Sequence, residues 1–95
     1  MNKQFYFEWN EEKNESNIEK HNIDFNKAQN AFLDTKRVIL KDLNHSNEEN
    51  RYFCLGKVEN HIMTVRFTNR SNIIRIIGAG YWRKGKKIYD QENKL

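Results

Sequence analysis

The sequence predicts an α+β fold: an antiparallel sheet of four to five strands, two N-terminal helices and a basic C-terminal helix. Three observations carry this. Residues 51–77 contain three runs rich in apolar and β-branched residues, separated by short turn sequences, the pattern of an antiparallel meander. Residues 11–33 ahead of them show capping residues and helical spacing. After them, Tyr81 and Trp82 lead into a segment carrying Arg83, Lys84, Lys86 and Lys87.

Taken in order, Phe5, Phe7 and Trp9 fall on one face of a short aromatic strand by its period of two. Asn10 caps a helix whose first turn holds Glu11 and Glu12, acids that favour the positive end of the dipole, and the pattern runs to about His21. Ile18 is its only large aliphatic residue; Lys13, Asn14, Asn17 and His21 form a polar stripe read as facing water. A break at Asn22-Ile23-Asp24, with Asp24 as the next cap, opens a second helix. Phe25, Ala28, Ala31 and Phe32 form its sheet-facing side, and Asp34 and Thr35 end it. Residues 37–41 read as a strand and residues 42–50 as a polar surface loop of the kind that often carries chemistry.

Residues 51–58 and 62–68 follow as strands joined by Glu59-Asn60-His61, with Met63, Val65 and Phe67 on one face and Ile62, Thr64, Arg66 and Thr68 on the other. Asn69-Arg70-Ser71-Asn72 supplies the next turn. Ile73, Ile74, Ile76 and Ile77, interrupted only by Arg75, predict a strand buried on both faces. Gly78 and Gly80 predict a turn that brings main-chain amides close to a ligand.

Ninety-five residues suffice for a single domain, residues 1–95, with one modest core. The lone Cys54 has no intrachain disulfide partner and reads as a small buried hydrophobe. Met1-Asn2-Lys3-Gln4 and the Glu8-interrupted aromatic patch do not make a signal peptide, and no run reaches the length of a bilayer span, so a soluble cytoplasmic protein is expected. The formal net charge of +4 hides an asymmetry. Residues 1–50 carry seven Lys or Arg against ten Asp or Glu, whereas residues 51–89 carry nine against Glu59 alone. Such a basic half steers a polyanion toward itself; nucleic acid is the commonest, and an acidic protein is drawn equally.

His21, His45 and His61 lack the close spacings of zinc sites and Gly78-Ala79-Gly80 matches no phosphate-cradling loop, so neither metal nor cofactor is expected. The sequence offers instead Arg51, Arg66, Arg70 and Arg75 on the meander and His45 and Glu49 in the polar loop. Arginine holds a phosphate by two parallel hydrogen bonds, and metal-free RNA cleavage needs a base, a cation and an acid. His45 or Glu49 fits proton transfer; equally, Glu49 and Arg51 read as a structural ion pair and His45 as a loop-closing hydrogen bond. Tyr81, Trp82, Arg83, Lys84, Lys86 and Lys87 interleave ring faces with cations, which suits RNA. The plain alternative is a terminal helix with core aromatics and solvated lysines.

One ordered set of residues spans nearly the whole chain: Phe7-Glu8-Trp9-Asn10, Lys13, Asn17 and Lys20-His21; Phe25, Ala28 and Phe32; His45-Ser46, Glu49 and Arg51; Gly56; Thr68 and Arg70; Arg75-Ile76-Ile77. In this order the chain resembles the BrnT family of toxins from type II toxin–antitoxin modules, small ribonucleases with a RelE-like fold. The family's strand usually ends in Ser-Ala-Arg where this chain has Gly78-Ala79-Gly80, so the arginine at position 80 is absent. The resemblance implies an endoribonuclease that cuts mRNA without a metal and inhibits translation. It also implies neutralisation by a cognate antitoxin, a ribbon–helix–helix DNA-binding protein. Under it, Arg51, Arg70 and Arg75 bind phosphate and stabilise developing charge, and His45 and Glu49 move protons. Arg66, Tyr81 and Trp82 contact RNA, and Arg83, Lys84, Lys86 and Lys87 track RNA or dock the antitoxin.

Two other readings stand beside it. A non-catalytic module that grips nucleic acid or an acidic partner is favoured by the missing arginine, and exposed Tyr81 and Trp82 would serve a homodimer.

Overall fold

The computed structural model describes residues 5–95. Met1-Asn2-Lys3-Gln4, read above as unlike a signal peptide, lies outside the described residues. The elements are β1 (Phe7–Trp9), α1 (Glu11–His21), α2 (Phe25–Ala28) running into a 3₁₀ helix (Gln29–Leu33), β2 (Val38–Lys41), β3 (Arg51–Val58), β4 (His61–Arg70), β5 (Ile73–Gly80) and α3 (Arg83–Glu92). Among the described residues no helix is long and apolar enough to cross a membrane.

The strands form one sheet in the order β1-β5-β4-β3-β2. The meander β2-β3-β4-β5 is antiparallel as expected. The first strand departs from the all-antiparallel expectation: β1 pairs with β5 in parallel, Phe7 opposite Ile74 and Trp9 opposite Ile76, so the sheet is mixed. The chain leaves β1 at one edge, passes through the helices to β2 at the other, and returns by the meander. Both tight turns place two consecutive residues at positive φ, Glu59 (49°) with Asn60 (69°) and Ser71 (50°) with Asn72 (68°), the twist that suits two-residue hairpins. His61, Asn69 and Arg70 are therefore strand residues rather than turn residues.

One sheet face forms the main core with the helices. Met63, Val65 and Phe67 of β4, Cys54 of β3 and Ile74, Ile76 and Ala79 of β5 are buried against Phe25, Ala28, Ala31 and Phe32. Phe7 and Trp9 bring their rings to Phe32 and Phe25 at centroid distances of 5.3 and 6.1 Å. Cys54 is fully buried, and burial pushes its thiol up to about 12, which keeps it protonated and unreactive. Ile73 and Ile77 are only half-buried, so the isoleucine run is not enclosed on both faces.

Half of the polar stripe of α1 does not face water: Lys13 and His21 are exposed as expected, but the two asparagines are not. Asn14 and Asn17 are buried. Asn14 Oδ1 accepts from the Phe25 amide at 2.7 Å, and Asn17 donates to the Ile23 carbonyl at 2.9 Å while accepting from the Ala79 amide at 3.1 Å. Ile18 is 40% exposed, so these amide bonds, more than an apolar seam, fix α1 on the molecule.

Asp34, just past the 3₁₀ helix, ties three elements together. Its carboxylate accepts from the Lys57 amide of β3 (2.8 Å), the Lys36 amide (2.9 Å) and the Tyr89 hydroxyl of α3 (2.6 Å). Partial burial alone would raise its pKa; the hydrogen bonds from Tyr89, Lys57 and Lys36 outweigh it and hold the carboxyl below its ordinary value of 3.8. Asp34→Ala leaves those donors unpartnered and is expected to cost about 1–3 kcal/mol in urea unfolding at neutral pH. The folded-state pKa is depressed, so this contribution is complete above 3.8 and is lost as pH falls through the folded value. The gap between native and variant should therefore narrow in acid by its charge-dependent part, and a gap that widens there would be the wrong sign.

Candidate active site

The sheet face opposite the helical core carries the arginines. Register puts Arg51 of β3 beside Thr68 of β4, Thr68 beside Arg75 of β5, and Arg75 beside Glu8 of β1, one row across four strands. Arg66 and Arg70 flank Thr68 at two residues either way along β4, so all four meander arginines share this face. α3 covers its far end, where Gly85 lets the helix lie against Thr64 and Leu55.

Residues 42–50 close over the near end. Asp42 is buried at 4% exposure and serves as the loop's anchor. Its amide donates to the Arg51 carbonyl at 2.7 Å, its carboxylate accepts from the Asn44 amide at 3.1 Å, and its carbonyl accepts from Ser46 Oγ at 2.6 Å. Ser46 Oγ also accepts from the Arg51 amide at 3.0 Å, and Thr68 Oγ1 donates to the Asn50 carbonyl at 2.7 Å. On this frame His45 Nδ1 lies 3.0 and 3.2 Å from the two Asp42 oxygens. With Nδ1–H donating to the carboxylate, Nε2 is the nitrogen left to a substrate. The His45 side chain is 59% exposed.

Glu49 sits between two guanidinium groups, 3.2 Å from Arg70 and 3.8 Å from Arg51. Arg51 Nε, the atom that faces Glu49 across this gap, is buried and among the described residues has no hydrogen-bond partner. An orphaned donor of this kind is costly unless a ligand meets it. His45, Glu49, Arg51 and Arg70 line one open cleft of about 540 Å³, with Asn44, Asn47 and Glu48 as the rest of its wall.

Four of the five residues expected to carry chemistry thus converge. The fifth, Arg75, lies on the same face but outside this cleft, two strands from Arg51 or about 10 Å, and its guanidinium binds Glu8 at 2.6 Å. Both plain expectations also hold: Glu49 and Arg51 are paired, and His45 closes a loop hydrogen bond.

The residues expected to contact RNA are dispersed. Tyr81 and Trp82 are each 42% exposed, with edge contacts to His61 and His21 respectively. Arg83, Lys84, Lys86 and Lys87 are exposed around α3. Lys84 borders an apolar groove with Leu40, Phe53 and Ile88, while Lys86 bonds Asp90 at 2.6 Å. Arg66 lines a different cleft, with Trp82.

The expected turn at Gly78 and Gly80 is absent. β5 runs through Gly80, and among the described residues no glycine has positive φ. Gly80 is small for another reason: a β-carbon there would stand 2.6 Å from the Trp82 indole. Trp82 therefore occupies the space into which an arginine at position 80 would project.

Asp42 is the residue that sequence reasoning missed. Its separation of three from His45 is the only signal it leaves, and burial, which gives it its role, is not visible in a polar loop. Among the described residues no group of three or more His, Cys, Asp or Glu is arranged to hold a metal ion.

No curated protein matches the chain. A family model described as the ribonuclease toxin BrnT of type II toxin–antitoxin systems matches residues 9–85. That span runs from the last residue of β1 to the start of α3 and takes in the whole cleft. The chain belongs to the BrnT family of type II toxin–antitoxin ribonuclease toxins.

Proposed function

We propose that this toxin cuts mRNA in the cytoplasm without a metal, in the cleft formed by His45, Glu49, Arg51 and Arg70. The observation that carries the reading is the pairing of a carboxylate-anchored imidazole with a carboxylate flanked by two guanidinium groups around one open space. Arg51 and Arg70 bind the scissile phosphate and oppose the charge that builds on it. Glu49 accepts the ribose 2′-hydroxyl proton as the 2′-oxygen attacks phosphorus. His45, as imidazolium, protonates the departing 5′-oxygen through Nε2. The products are a 2′,3′-cyclic phosphate and a 5′-hydroxyl end. Arg75 acts from the neighbouring position on the same face once RNA draws it from Glu8. A cognate antitoxin of the ribbon–helix–helix class neutralises the toxin, a reading that rests on the family alone.

The test is induction of the chain by itself in a bacterium with mapping of RNA 5′ ends. Growth arrest with new 5′-hydroxyl ends, relieved by co-expressed antitoxin, is the expected result. Healthy growth with intact transcripts would refute it. That outcome would favour a non-catalytic binding module, for which the observation is that Glu49 already occupies both guanidinium groups.

A further inference from the structure

β1 stops pairing at Ile76, so among the described residues β5 from Ile77 to Gly80 has no strand on that side, and α1 packs there through the Asn17–Ala79 bond. Residues 13, 16, 17 and 20 lie on one helical face, at spacings of three and four, and that face meets the strand edge. The result is a cleft of about 260 Å³ lined by Lys13, Lys20, His21, Arg66, Gly78 and Trp82 among others, with no carboxylate in its wall among the described residues. The His45 cleft, by contrast, sets Glu48 and Glu49 against Arg51 and Arg70.

The pairing of the cations sharpens the contrast. Arg51 and Arg70 are held by Glu49, and Arg75 by Glu8. Among the described residues, Arg66, Lys13 and Lys20 have no such ion pair, although Arg66 is half-buried in the sheet. A partly desolvated guanidinium without a counter-charge, two free ammonium groups and an indole at one opening match phosphates alternating with bases. Gly78 keeps the floor open: a β-carbon there would meet only Asn17 Oδ1, at 3.9 Å. Arg66 lies diagonally from Arg51 on the same face, about 8 Å away by strand geometry, so one RNA strand reaches both clefts.

We infer that the α1–β5 cleft is a second RNA contact, in which a single-stranded segment flanking the cut phosphodiester stacks a base on Trp82 and places phosphates at Lys13, Lys20 and Arg66. This rests on the ribonuclease reading for its substrate but not for its chemistry. It gives α1 a functional face and Trp82 a role other than self-association.

The experiment measures binding of a short, uncleavable 2′-O-methyl RNA to the full chain over a range of salt. Lys13→Glu with Lys20→Glu should weaken binding on the order of tenfold and reduce the salt slope by about 1.4. The same charge change at Lys36 and Lys57, exposed residues elsewhere, should cost at most about threefold. Gly78→Val should block binding while leaving thermal unfolding intact. In a Trp9→Phe background, RNA should quench the emission of Trp82. Equal losses from both lysine pairs, full affinity in Gly78→Val, or unquenched Trp82 at saturation would overturn the proposal. Loss of antitoxin binding with RNA affinity intact would assign the cleft to a protein and overturn it too. Because the probe cannot be cut, a protein that binds it through this cleft yet leaves all transcripts whole would sink the ribonuclease reading alone.

Discussion

Replacing His45 with alanine is expected to lower the rate of RNA cleavage by about 10²–10⁴-fold, the usual worth of one positioned proton-transfer group. Stability should scarcely change, because the side chain is 59% exposed and among the described residues its hydrogen bonds go to Asp42 alone. Asp42→Asn keeps the shape of the loop anchor but removes the carboxylate that holds His45 Nδ1. The ring is then less firmly oriented while the proton donor remains, so cleavage should fall by a smaller factor than in His45→Ala. Unaltered cleavage by His45→Ala, in a protein that unfolds normally, would remove the imidazole from the mechanism and leave the chemistry to Glu49 and the two arginines.

Much of this fold is written in short-range signals. Asn10 and Asp24 cap their helices with side-chain bonds to Lys13 and Lys27, three residues on. Alternation in β4 fixes which residues enter the core, and the same alternation sends Arg66, Thr68 and Arg70 to the opposite face. Hence the side taken by Arg66 and Thr68 was legible before any coordinate, whereas Arg70 read as a turn residue and joins that face only because β4 runs on to it. What stayed hidden depends on contacts remote in sequence. Parallel pairing of β1 with β5 joins Glu8 to Arg75, and nothing in a three-residue strand announces its direction. Asn14 and Asn17 look like solvated helix residues, yet their partners are backbone groups as far away as Ala79. Gly78 and Gly80 look like a turn, yet each is small because of what stands beside it: open cleft at one, the Trp82 ring at the other. Composition records that a side chain is missing but not what takes its place.

Gly56 shows the same dependence with the largest consequence for stability. It lies in β3 directly under the 3₁₀ helix, where a β-carbon would overlap the Ala31 carbonyl oxygen and stand 2.7 Å from the Ala31 carbonyl carbon and 2.8 Å from its α-carbon. Backbone, unlike the end of a flexible side chain, cannot swing aside without moving the element that carries it. Gly56→Ala is therefore expected to cost about 3 kcal/mol or more, at the upper end of overpacking penalties. For a domain of this size that lowers the melting temperature by about 12–24 °C. Gly78→Ala supplies the control in the same sheet: its β-carbon meets nothing closer than 3.9 Å, and the melting temperature should hold or rise slightly. The 3₁₀ helix leads into Asp34, which binds β3 at Lys57, so displacement at Gly56 strains the layer contact along β3 toward Arg51. Reduced cleavage should accompany the lost stability at temperatures where the variant is still folded. A Gly56→Ala protein that melts within about 2 °C of the native chain would mean that the 3₁₀ helix can lift from β3 at little cost, and that the close backbone contact does not hold the two layers together.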